Sequence, residues 1–459
     1  MSPPRCRAAA LALVLVSSLA RPIGAAAWSP PDLPPMPIFH LPYEIGGQAT
    51  VVYQYKPRFH SPYEGTNSLR AGTEQAVSDS YTLYLGVRPF SWAEVFVDPE
   101  MVRGGGISDA LGLAGFTNGE VIRNPAIGQD PYIARAFGRI TVPLAARGPS
   151  IDADFHQLPG SPPASRLVIT GGILSTTDLF ETNRYANNTR TQFLNWALIT
   201  DTAYDFAADT RGYTRGIAGE WDTERFAVRL GIFQMPTVAN GPDLDGDLID
   251  AHGDQLEVDV PLALPWRQPA VLRFLAYDNH ANMGNYDRSI ALAKNNGGTP
   301  DITATRTQGA VKYGFAFNGE LPLSADGATG LFARAGWNDG QTESFCFTES
   351  DRAVSLGAQI GGDFWGRVGD RIGLGFAMNG LSKPHRDYLA LGGLGFILGD
   401  GRLDYSPELI LETYYRLQIG FLGLTLDYQF IADPGDNRAR GPVSVVGLRG
   451  HIEGIAAAL

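Results

Sequence analysis

Between positions 178 and 201 the chain gathers Asp178, Glu181, Asn183, Arg184, Arg190, Trp196 and Asp201. An aromatic ring packs on the apolar face of a sugar, while carboxylates, amides and guanidinium groups take its hydroxyls in fixed geometry. A set of this kind suits weak, reversible binding of polyhydroxylated solutes. If the flanks are strands of a wall, part of the stretch folds inward and narrows the enclosed space. The alternatives are an ordinary external loop and a strand continuing through the wall.

Two further sets carry similar groups. Glu64, Asn67 and Arg70 lie in Ser61–Arg70, where Ser-Pro, Gly and Asn also read as plain turn chemistry. Arg334, Glu412, Arg416, Asp427 and Gln429 fall on the polar faces of late alternating segments, with Glu412 and Arg416 two alternations apart on one face. These charges can neutralise one another in a wall or meet a solute.

Other chemistry is poorly supported. Asp243-Leu-Asp245-Gly-Asp247 resembles part of a calcium loop, but its Gly precedes the third acid and Asp254 stands where an EF-hand carries Glu. A solvated acidic loop is the simpler reading. The seven histidines form no H-E-x-x-H, and no paired Cys/His set suggests zinc. G-x-S-x-G and Walker A motifs are missing. No cofactor or metal is expected.

The elements that must position these groups are strands. Phe226, Val228, Leu230 and Ile232 alternate with Arg225, Ala227, Arg229 and Gly231, and Val311, Tyr313, Phe315 and Phe317 alternate with Lys312, Gly314, Ala316 and Asn318. Leu422, Leu424, Leu426, Tyr428 and Phe430 oppose Thr425, Asp427 and Gln429 in the same way. Successive side chains of a strand point to opposite faces, so each segment has one apolar face and one polar or small face. About sixteen such segments can be marked, most about 8–11 residues long, which is the length of a tilted membrane strand. Soluble sandwiches use strands of about 5–6 residues, and a barrel of about 16 strands leaves an aqueous channel. Stretches 104–130, 178–204, 236–253, 279–306 and 382–407 resist a strand reading, with a short helical turn expected at Asp287–Lys294. The expected fold is all-β: a closed antiparallel transmembrane β-barrel whose lumen is narrowed by an inward loop.

Composition agrees. The mean hydropathy of −0.08 looks soluble, but lipid-facing and lumen-facing residues of a barrel average out in this way. The inward positions are too small and polar for the core of a soluble binding protein. With 48 acidic against 36 basic residues the chain is an unsuitable nucleic-acid partner.

The first residues read as a secretory signal peptide: Arg5 and Arg7, an apolar run from Ala8 to Ala20, and small residues Ala25-Ala26-Ala27 before Trp28. The run is too short for a membrane helix. Cleavage would remove Arg5, Arg7 and Arg21, taking the formal charge from −12 to −15. It would also remove Cys6, leaving Cys346 without an intrachain partner. The expected organisation is a signal peptide at 1–27, a Pro-rich leader at 28–48 and a barrel domain at 49–459.

With these patterns in place, the chain resembles the carbohydrate-selective porins of the OprB-like family. The likeness is densest over 411–449, and earlier blocks are SPYEGTNSL (61–69), DLFETNRYANNTRTQFLNWALI (178–199), YDFAADTRGYTRGIAGEW (204–221) and LFARAGWNDG (331–340). One departure is the ending Ile455-Ala-Ala-Ala-Leu459, where the family commonly has an aromatic residue. The resemblance implies about sixteen antiparallel strands, a constricted pore in the bacterial outer membrane, and passive diffusion of sugars and similar small hydrophilic solutes. It implies outer-membrane lipid and the barrel-assembly machinery as partners. A general diffusion porin and an outer-membrane barrel enzyme are the alternatives.

Overall fold

The computed structural model describes residues 41–458, apart from 125–126 and 266–267. The expected signal peptide and most of the leader fall outside these residues.

Sixteen strands follow one another along the chain. The first eight are β1 (Tyr43–Lys56), β2 (Glu74–Phe90), β3 (Ala93–Gly104), β4 (Tyr132–Pro143), β5 (Arg166–Leu174), β6 (Thr214–Asp222), β7 (Ala227–Gln234) and β8 (His252–Leu262). The rest are β9 (Ala270–Met283), β10 (Thr307–Pro322), β11 (Gly330–Asn338), β12 (Arg352–Gly361), β13 (Arg371–Gly380), β14 (Glu408–Ile419), β15 (Leu422–Ala432) and β16 (Val443–Ala458). Each pairs antiparallel with its sequence neighbours, and β1 closes on β16, from Tyr43↔Ala458 to Tyr55↔Val446. Closure leaves no strand edge unpaired, a requirement for backbone in hydrocarbon. The wall begins at Tyr43, ahead of the expected boundary at 49. Strand length runs from 8 residues in β7 to 17 in β2, wider than the expected range.

The two faces invert the pattern of a soluble protein. On β10, Val311, Tyr313 and Phe315 point outward, Phe315 being 56% exposed, while Lys312, Asn318 and Glu320 are buried inside. On β7, Leu230 is 60% exposed, whereas Arg229 faces inward and reaches Glu257 on β8 at 2.7 Å. This is the arrangement expected where the outer solvent is lipid and the enclosed one is water. No helix among the described residues is long and apolar enough to cross a membrane. Outward rings mark both rims: Tyr313 and Trp337 lie 5.7 Å apart near one end, and Phe90 stacks on Trp92 at 5.2 Å near the other. Such rings suit the membrane–water boundary.

One end carries short turns, including 91–92, 223–226 and 420–421; the other carries long loops, among them 105–131, 175–213, 235–251, 284–306 and 381–407. All five stretches expected to resist a strand reading lie mainly in these loops. The turn expected at Asp287–Lys294 is a helix, Tyr286–Asn296, capped by the Asn285 side chain accepting from Arg288 N. The connection 144–165 between β4 and β5 is long although it stands at the short-turn end. Loop residues fill the outer half of the lumen, where Phe116, Phe180, Phe206, Phe345 and Phe347 form an apolar core around Trp196.

Candidate functional site

The loop 175–213 turns into the lumen and is fastened to the inner wall along its length. Its first fastening is on the buried Arg334 of β11. That guanidinium pairs with Glu181 and donates to the carbonyls of Ala186 at 2.6 Å and Leu198 at 3.0 Å. Glu181 also accepts from Asn318 at 2.6 Å. Asn183 donates to Asn318 Oδ1 at 2.7 Å, and Arg184 N donates to Glu320 Oε2 at 2.8 Å. Further on, the buried Glu412 accepts from the backbone of Leu194 at 2.6 Å and Asn195 at 2.9 Å. Asn195 donates to Gln429 at 2.9 Å, and Arg449 reaches the Thr189 and Gln192 carbonyls while pairing with Asp427 at 2.9 Å.

The wall makes room for this seating. A Cβ at Gly330 would overlap the Tyr185 ring, and one at Gly336 would overlap the Asp201 carboxylate. Both glycines are on the inward face of β11, so the loop backbone can approach closely.

The loop leaves open a chamber of about 1560 Å³ bounded by β2 to β7 and by the connection 144–165. Arg190 is its central group. It donates to Glu120 at 3.1 Å, to Glu100 at 3.1 Å and to the Tyr84 hydroxyl at 2.8 Å. Glu100 in turn accepts from Tyr132 at 2.8 Å and Tyr213 at 2.6 Å. Asp178 is held by a two-pronged pair with Arg135, both contacts at 2.7 Å. The Arg135 guanidinium lies 5.1 Å from the Tyr213 ring centre, and that of Arg211 lies 4.8 Å from Tyr132. The lining carries eight arginines and six carboxylates, most of them joined in ion pairs of this kind.

Asp201 and Asp178 are among the loop carboxyls with shifted affinities for protons. Burial, and then the Glu181 carboxylate, push Asp201 up to about 7. Burial acts upward on Asp178 too, but the Arg135 guanidinium prevails and the net shift is downward.

The residues singled out in the sequence divide into three groups. Asp178, Arg190 and Trp196 line the chamber. Glu181, Asn183, Asp201, Arg334, Glu412, Asp427 and Gln429 are buried where the loop meets the wall, and Arg184 sits at the same junction. The remaining four are remote from the chamber. Asn67 donates to the carbonyls of Gly395 and Leu398, Glu64 accepts from Ala71 N, and Arg70 pairs with Glu74 and Asp109. Arg416 lies near the short-turn end of β14 and is not joined to Glu412, whose oxygens are taken by the loop. In the acidic loop, Asp245 and Asp247 accept from nearby backbone N–H groups, and no cluster of three or more metal-ligating side chains exists among the described residues.

Sequence reading missed Glu100, Glu120, Tyr84, Tyr132, Arg135 and Arg139. The signal was there in β4, where Arg135, Phe137 and Arg139 share one face by alternation.

The geometry is that of a water-filled barrel narrowed from within. The carbohydrate-selective porin, OprB family matches this chain over residues 137–453. The chain belongs to this family. It is thus an outer-membrane diffusion channel for carbohydrates. The porin's fold is similar to that of Pseudomonas putida OprB in its high-pH structure, with 15% identity, a TM-score of 0.68, and coverage of 90% of this chain and 94% of that one. The outer-membrane channel DcaP of Acinetobacter baumannii is similar at 10% identity and a TM-score of 0.50, covering 90% of this chain and 97% of that one. No curated protein matches the porin's sequence.

Proposed function

We propose that the chamber around Arg190 is the selective passage, and that it favours neutral sugars over ions of either sign. The observation that carries this is the fan of Arg190 onto Glu120, Glu100 and Tyr84 in the chamber wall. A sugar hydroxyl both donates and accepts, so it can replace water beside either member of such a pair. A small ion meets its own sign next to the opposite one and gains little. Binding stays weak because most of these charges already have partners, and weak binding is what allows release. Asp178 with Arg135 repeats the motif lower in the wall, and Trp196 adds an aromatic border.

The remaining organisation follows the same reading. Residues 1–27 direct export, the apolar belt meets outer-membrane lipid, and the barrel-assembly machinery inserts the wall.

The test is single-channel conductance of the purified protein in a planar bilayer with sugars titrated in. Discrete steps interrupted by sugar are expected, with the interruptions weakened in Arg190→Ala. Steps indifferent to sugar would reduce the reading to a general diffusion pore, and a correctly folded barrel with no conductance would overturn it.

A further inference from the structure

The connection 144–165 is a hairpin finger that enters the lumen from the short-turn end. Arg147 bridges to Pro163, Ile151 to Gly160 and Asp154 to Gln157, with backbone hydrogen bonds of 2.7 Å from Gly148 to Pro162 and from Ile151 to Gly160. Its tip is the tight turn Asp154–Gln157, with His156 at φ +58°.

Side chains on the inner wall hold that tip. The His156 ring packs edge-on against Phe96 and Phe137, at 5.7 and 5.5 Å, and its Nε2 lies 2.6 Å from Asp98. Its backbone N donates to Glu44, and Arg139 donates to its carbonyl at 2.8 Å. Arg88 donates to the carbonyls of Leu158 and Pro159 at 3.2 and 3.1 Å. Asp98 and Glu44 are both buried. So many charged anchors on one turn fix its position, which a passive surface turn does not need.

These anchors set the Phe155 ring 4.2 Å from that of Tyr84, in a recess opened by Gly46, where a Cβ would stand 3.2 Å from the ring. Phe155 is half-buried, and its uncovered part lines the chamber. Tyr84 is the same residue whose hydroxyl accepts from Arg190 of the outer loop. Finger and loop, arriving from opposite ends of the barrel, thus meet on one tyrosine.

We propose that the finger forms the second wall of the selective passage, with Phe155 as the apolar platform on which a sugar ring lies while its hydroxyls face the Arg190 fan. This rests on the chamber being the sugar path. The finger is therefore a specificity element: its ring rewards the apolar face of a pyranose, which a simple ion or linear amide does not present.

Phe155→Ala, Phe155→Leu and a variant with residues 148–162 replaced by a two-residue Asn-Gly turn would be compared with the parent in planar bilayers, with glucose as the probe added to either side. Heat-modifiable gel mobility would report barrel integrity. Parent conductance with sugar interruptions supports the chamber reading independently of the finger. Given that, Phe155→Ala is expected to weaken glucose interruption about fivefold with conductance nearly unchanged, as loss of a modest apolar contact implies. Phe155→Leu keeps apolar bulk against Tyr84 and should still weaken it, because the flat ring is gone. Shortening the finger should raise conductance about twofold as a lumen obstruction is removed. Glucose interruption as strong in folded Phe155→Leu and in the shortened variant as in the parent would overturn the proposal.

Discussion

The Arg334 guanidinium and the Glu181 carboxylate pair inside the barrel with almost no access to solvent, their side chains 1% and 2% exposed. The pair joins the inward loop to β11, and the same guanidinium also holds the loop's Ala186, Leu198 and Ile199 carbonyls.

Arg334→Ala should therefore release the loop rather than unfold the wall. Removing one partner of a buried pair leaves the other charge uncompensated, a cost of about 3–5 kcal/mol. Because the wall's ladder is untouched, the expected result is a folded barrel with noisy, enlarged conductance and faster proteolysis within 184–190. Quiet parent-like channels would show that the loop is seated by its other anchors alone.

Gly330 gives a steric test of the same seating. A side chain there collides with the Tyr185 ring. Overpacking of this kind costs about 1–3 kcal/mol. Gly330→Val should enlarge the pore much as Arg334→Ala does, without altering any charge, and the two effects should fail to add in the double variant because both break one contact surface.

Asp201 supplies a pH dependence. Its carboxyl, raised to about 7 by burial and by Glu181, binds a proton in the folded loop that the free loop gives up near the ordinary value of about 3.9. The folded state thus holds more protons between these values, so seating weakens as pH rises from about 4 to about 7. Channel noise should increase over that window. Asp201→Asn should remove this component of the slope, measured as the difference between variant and parent at each pH; identical slopes would reject the assignment.

The chamber lining carries eight arginines against six carboxylates, while the whole chain carries a net charge of −12. Local charge governs what ions meet in a narrow passage. Reversal potentials in a potassium chloride gradient should show a weak preference for chloride, reduced or inverted in Arg190→Ala. A strong cation preference would mean that the path avoids this chamber.

Much of the wall was legible in advance, because alternation in segments such as 311–318 and 422–430 depends only on which side of a strand meets lipid. The inward loop was legible too, since Asp178 to Trp196 mixes charge and aromatic ring where no strand period holds. The parity of Glu412 was readable, but its partners were not. Its oxygens accept from Leu194 and Asn195, more than two hundred residues away, and nothing local in Leu411–Arg416 points to them. Glu100 and Tyr213 meet for the same reason, by closure of the wall rather than by spacing. The finger at 144–165 is rich in Pro, Gly and Ser, a composition that signals turns and is silent on which way they fold.

The seam between β1 and β16 joins residues some four hundred positions apart, and Arg449 lies on it, opposite Val52. That arginine also grips the Thr189 and Gln192 carbonyls of the inward loop. The strand that seals the cylinder therefore also carries one of the residues that seat its filter. Perimeter and bore share this stave, so a change that loosens the seam at Arg449 also slackens one mooring of the sieve, and the two cannot be tuned there independently.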